Sequence, residues 1–278
     1  PARRTLPFVP AAPERGRAGV PAFTLSFRRW EQLTPDCLDQ GPALVYLPCQ
    51  ELPGHEDALR RWAQAYPDIG FGVVLPRVVW DRELPRLRRE LEAARQAGVT
   101  QALLGHIGQL PLARSFGLIP RGDFGLGLTN DETAAELARL GFASATASFE
   151  SRLAQIRDLS KPLDLELLVY GRLPLMLMEH CILRTRGQDC HCQDKPQSLG
   201  DRKGEHFPVE SAWGCRNELF NAKPLWLADK TDWRTAGAAY ARLAFLREGP
   251  GECARVFRAY REGAGEPPRA FTRGLYYR

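Results

Sequence analysis

Short continuous apolar runs alternate along this chain with stretches whose apolar residues recur at helical spacing, the signatures of buried strands and amphipathic helices. The runs fall at 22–27 (AFTLSF), 43–48 (ALVYLP), 71–76 (FGVVLP), 101–106 (QALLGH), 118–124 (LIPRGDF), 142–148 (FASATAS), 164–171 (DLELLVYG) and 242–248 (RLAFLRE). The fifth is the weakest, because Pro120 removes a backbone donor. Helical spacing follows at 28–40, 55–66, 81–97, 110–116, 131–140, 151–159, 228–240 and 252–262. The fifth helix carries the clearest boundaries. Asn130 stands at its N-cap, Asp131 and Glu132 in its first turn, and Gly141 beyond its end.

Strand–helix units joined by short connections predict parallel strands linked by right-handed crossovers. Eight of them in about 250 residues predict a closed α/β barrel of the (β/α)8 TIM type. A doubly wound open sheet is the rival; no GxGxxG follows the first strand, which disfavours a dinucleotide-binding version. The rhythm breaks once. After the seventh strand a Cys-rich excursion, 172–228, intervenes before the eighth. The reading is therefore a Pro/Arg-rich linker at 1–21 and a barrel at 22–278 that includes the excursion.

Composition narrows the class. The 278 residues are 44% hydrophobic and 26% charged, as in an ordinary globular domain, and no apolar run approaches a membrane span. The net charge of +5 is mild and the arginines are scattered, so charge neither establishes nor excludes an RNA partner. The chain opens at Pro1 and is read as a piece of a longer polypeptide, with preceding domains as partners. Seven cysteines unevenly spread, in a chain whose first residues do not resemble a secretory signal peptide, predict metal binding in a reducing, cytoplasmic setting.

A barrel predicts chemistry where the strands' C-terminal ends meet. Gln50, Glu51, Arg77, His106, Asp123, Ser148, Glu150, Tyr170, Arg172 and Arg247 stand there. The catalytic candidates are His106, Asp123, Arg77, Glu150, Tyr170 and Arg172. His106 and Asp123 stand out because Gly105, Gly108, Gly122 and Gly125 beside them would let backbone approach a ligand. In the excursion, Cys181, Cys190, Cys192 and Cys215 are spaced C-x8-C-x-C-x22-C. Four thiolates suffice for an iron–sulfur cluster or for zinc. The absence of paired CxxC knuckles favours the cluster, with zinc and buried free thiols left open. Cys37, Cys49 and Cys253 read as packing residues, Cys49 being notable for its place at the mouth.

The blocks LVYGRLPLMLMEHC, DRKGEHFPVES, CRNELFNAKPL and FTRGLYYR, with LPRVVW, LLGHIGQLPLARSFGL, RGDFGLGLTN and ASATASFESRLAQIRDL upstream, resemble the collagenase-like U32 peptidase family. They are most similar to the carboxy-terminal barrel of its long bacterial members. The resemblance implies a (β/α)8 barrel and a [4Fe–4S] cluster on Cys181, Cys190, Cys192 and Cys215. It implies oxygen-independent hydroxylation of RNA bases or of ubiquinone precursors, with prephenate or a similar small molecule as oxygen source. The CxC of Cys190 and Cys192 departs from the wider spacing of relatives. A metal-dependent peptidase and a non-catalytic, substrate-binding barrel are the alternatives.

Overall fold

The computed structural model describes residues 19–184 and 196–278. Most of the 1–21 linker lies outside the described residues, and so do Cys190 and Cys192. The chain runs β1 (Ala22–Phe27), α1 (Pro35–Leu38), β2 (Leu44–Pro48), α2 (Glu56–Ala65), β3 (Gly70–Val74), α3 (Leu84–Gln96), β4 (Gln101–Leu104), α4 (Leu110–Ser115), β5 (Ile119–Gly122), α5 (Asp131–Arg139), β6 (Ser144–Thr146), α6 (Leu153–Asp158) and β7 (Asp164–Gly171). It continues through β8 (Pro174–Met178), β9 (Gln197–Gly200), β10 (His206–Ala212), β11 (Arg216–Phe220), β12 (Leu225–Trp226), β13 (Tyr240–Phe245) and α7 (Pro250–Glu262).

Strands β1 to β7 and β13 pair in parallel. β13 joins β7 to β1, from Ala22 opposite Tyr240 to Phe27 opposite Phe245, and closes an eight-stranded barrel. The predicted fold class is the one observed. Seven of β7's eight residues are buried, because barrel packing covers one face and helices the other. Pro120 is tolerated in β5: its carbonyl accepts from the Ala143 N–H at 2.9 Å, just before β6 begins. The α5 cap forms as read, with Asn130 Oδ1 accepting from the Thr133 N–H at 2.9 Å.

Two predicted helices differ. In 28–40 a short 3-10 turn (Trp30–Gln32) and α1 replace one helix, since Thr34, preceding Pro35, is held extended at φ −132° and ψ 161°. In 228–240 only Asp232–Thr235 coils; Gly237 turns out of it at φ +77°, and the Trp233 indole is drawn into the core to donate to the Leu227 carbonyl.

The Cys-rich excursion contains a four-stranded antiparallel sheet, ordered β8-β11-β10-β9. Its alternation places Leu177, Ala212, Glu218 and Phe220 toward the barrel mouth, whereas Met176 stays exposed. Among the described residues no helix is long and apolar enough to cross a membrane.

Candidate functional site

Inside the barrel, register sets Thr24 of β1 beside Arg242 of β13, and Thr146 of β6 beside Glu166 of β7. These four make one buried polar layer. Arg242, 4% exposed, pairs with Glu166 and with Asp123, the latter at 2.8 Å. Glu166, 1% exposed, also accepts from the Thr24 hydroxyl at 2.5 Å and the Thr146 hydroxyl at 3.1 Å. The Tyr46 ring lies 5.4 Å from the guanidinium carbon. Burial works against the Arg242 charge, but Glu166 and Asp123 outweigh it and raise its pKa further above the usual arginine range.

Above this layer, between the mouth and the antiparallel sheet, lies a cleft of about 1080 Å³ including its open entrance. Five arginines line it: Arg28 after β1, Arg77 after β3, Arg172 after β7, Arg216 of β11 and Arg242. Phe27, Leu168, Leu177 and Phe245 supply an apolar wall. Arg28 and Arg77 share one carboxylate, Glu218, at 2.9 and 2.6 Å. Arg28 also donates to the Ser211 carbonyl at 2.7 Å, and Arg77 lies 5.2 Å from the Phe124 ring centre. Arg172 donates to the carbonyls of Asn221, at 3.1 Å, and Ala222; among the described residues it meets no carboxylate within ion-pair distance. Burial pulls its pKa down, against the weaker pull of Glu248. A partly desolvated guanidinium bonded only to neutral carbonyls gains from an anion delivered beside it.

Of the six catalytic candidates, Asp123, Arg77 and Arg172 line this cleft. Asp123 Oδ1 accepts from both Arg242 and the Phe124 N–H, so its charge is held in place as a counterion. His106 and Glu150 are exposed and stand outside the lining. Tyr170 is buried behind it, donating to Glu248 at 3.0 Å, and burial raises its pKa. Arg28, Trp213, Arg216, Glu218 and Arg242 were not singled out from sequence, although Arg242 and Glu166 were visible as charges inside apolar strands. The close approaches at two of these glycines are within the protein: a side chain at Gly125 would strike the Gly105 carbonyl, and one at Gly122 would meet the Leu126 and Ala145 side chains.

Cys49 lines the cleft, but burial and the neighbouring Glu90 push its thiol well above the usual range, which keeps it protonated. Glu90 also accepts from the Trp213 indole at 2.9 Å and from Arg86 at 2.8 Å, tying the antiparallel sheet to α3. Cys37 and Cys253 are fully buried, as packing residues are. Cys181 and Cys215 lie at one end of the sheet. In the register that sets Met178 opposite Asn217, Cys181 is three residues beyond one and Cys215 two before the other. Among the described residues, Cys215 is the one non-glycine with positive φ, 64°. No group of three or more His, Cys, Asp or Glu side chains is placed to hold a metal ion among the described residues.

No protein-family model matches the chain, and no curated protein matches it. Solved structures do. The U32 peptidase Mk0906 is 12% identical with a TM-score of 0.49, covering 86% of this chain and 98% of its own. A mutant tryptophan synthase alpha-subunit from Pyrococcus furiosus is 9% identical with a TM-score of 0.45, covering 86% and 90%. A 3-hexulose-6-phosphate synthase is 12% identical with a TM-score of 0.46, covering 88% and 100%.

Proposed function

We propose that this chain is the substrate-binding and cluster-bearing barrel of an oxygen-independent hydroxylase of RNA bases, with the family resemblance of its sequence blocks as the source of that reaction class. The observation that supports it is that one sheet serves two ends. The sheet that carries Cys181 and Cys215 also walls the arginine-lined cleft through Leu177, Ala212, Arg216, Glu218 and Phe220. These two cysteines fit as half the thiolate set of a [4Fe–4S] cluster, or of zinc, and Cys190 and Cys192 of the same excursion would complete it. A bound cluster would supply one-electron transfer.

The remaining roles belong to the chain's own residues. Arg172 and the Arg28/Arg77/Glu218 group, each with one positive charge in excess, would orient a small dianionic co-substrate of the prephenate type. Phe27, Leu168 and Phe245 exclude water around its ring. Arg242 orients Asp123, whose second oxygen can accept from a substrate hydroxyl. A binding-only barrel is the second reading, favoured by one observation: the cleft carboxylates Asp123 and Glu218 are both already ion-paired.

Calorimetric titration with prephenate tests the cleft. Arg172→Ala is expected to weaken binding by about 10- to 100-fold, the loss of one charge-assisted contact. Equal affinities for the two proteins would remove the cleft from the account.

A further inference from the structure

We infer that Arg216 and Asn217 are positioning residues for the thiol pair Cys181 and Cys215, and that Arg216 also sets the charge beside that pair. The inference rests on the reading that these cysteines ligate a cluster.

Two ties bracket Cys181. On one side, the Glu179 carboxylate receives Arg216 through Nε at 2.5 Å and Nη2 at 3.1 Å. On the other, the Ile182 N–H donates to Asn217 Oδ1 at 2.6 Å. Both anchors are the residues that directly follow Cys215, so the two ties set one cysteine against the other. The anchors are themselves fixed. Asn217 is 1% exposed and donates through Nδ2 to the Arg216 carbonyl at 3.2 Å. The Arg216 side chain is 2% exposed and spends all five N–H groups: Glu179 takes two, Glu83 takes two at 3.2 and 3.1 Å, and the Trp213 carbonyl takes one at 3.2 Å.

The turn entering β11 is shaped around this guanidinium. Gly214, at φ +74°, lies where any side chain would strike Arg216 Nη1, and Cys215 follows in the same left-handed region. A β-carbon in that region is disfavoured, and such outliers persist only where the surroundings enforce them.

The clamp also carries charge. One guanidinium, that of Arg216, sits between two carboxylates one residue from Cys215, and the Arg82 charge also acts on both carboxylates. Net charge beside a cluster is one of the levers on its reduction potential.

Phenylarsine oxide, which bridges two close thiols, tests the positioning on iron-free full-length chain carrying Cys190→Ser and Cys192→Ser. That chain is expected to bind one arsenical, with Arg216→Gln and Asn217→Ala each weakening binding about tenfold. Unchanged affinity in folded variants overturns the inference; if Arg216→Gln does not fold, Asn217→Ala decides alone. In the reconstituted wild-type background, Arg216→Gln is expected to shift the cluster potential negative and Glu179→Gln to shift it positive, with Arg216→Lys near the parent. Shifts of equal sign, or none, overturn the electrostatic part. A chain that takes up no iron but still shows the arsenical effect retains the positioning and refutes the cluster reading instead.

Discussion

Arg242→Met is expected to destabilise the barrel by roughly 3–5 kcal/mol, the loss seen when one partner of a buried ion pair is removed. Methionine matches the length and packing of the arginine stem but leaves the Glu166 carboxylate, 1% exposed, with two hydroxyl donors and no countercharge. Asp123 would keep only the Phe124 N–H on Oδ1. The comparison that isolates charge from shape is the double variant Arg242→Met with Glu166→Gln. It should recover a large part of the loss, because a neutral amide still bonds the Thr24 and Thr146 hydroxyls. Urea denaturation of the parent, single and double variants reads all three values. A single variant within about 1 kcal/mol of the parent would mean that the polar layer does not hold the strands in register.

Gly171→Ala is expected to cost about 4 kcal/mol or to prevent folding, for two reasons that add. Its φ of +123° is a conformation that L side chains rarely adopt, worth about 1–3 kcal/mol of strain. Its β-carbon would also collide with the Ala244 carbonyl of β13, a backbone atom that cannot turn aside. This glycine lets the chain leave β7 beneath β13, where β12 pairs back onto Tyr170 and Gly171, and it delivers Arg172 into the cleft. Thermal unfolding checks it, and Gly54→Ala is the control: φ there is +87° but no atom lies within 4 Å of the added carbon. Equal losses at the two sites would assign the whole effect to backbone strain.

The barrel was legible because its strands are short apolar runs bounded by turns, and the rule holds best where burial is two-sided. The 164–171 run matches β7 at both ends. The antiparallel sheet was not legible. Its inward face carries Glu210, Arg216 and Glu218, so the alternation that marks an amphipathic strand is filled with charges paired to partners as distant as Arg28 and Glu83. Those partnerships exist only after the barrel has closed. The same holds for the cleft. Arg28, Arg77, Arg172, Arg216 and Arg242 look scattered along the chain, and strand order alone brings them to one mouth. The local signal that was present lay in Arg242 and Glu166, ionised residues inside apolar strands, since a charge there must find its opposite within the barrel. Asp123, Arg77 and Arg172 followed from their positions after strands, whereas His106 and Glu150 had the same kind of position but lie outside the cleft lining.

The proposed cluster would bind through Cys181 and Cys215, at the end of the sheet that walls the arginine-lined cleft, together with Cys190 and Cys192. Anaerobic reconstitution of the full chain with ferrous iron and sulfide, followed by iron and sulfide analysis, tests it most directly. About four iron atoms and as many sulfides per chain are expected, falling below about one in Cys215→Ser. Less than about one iron per chain in the parent, or an unchanged content in Cys215→Ser, would contradict it.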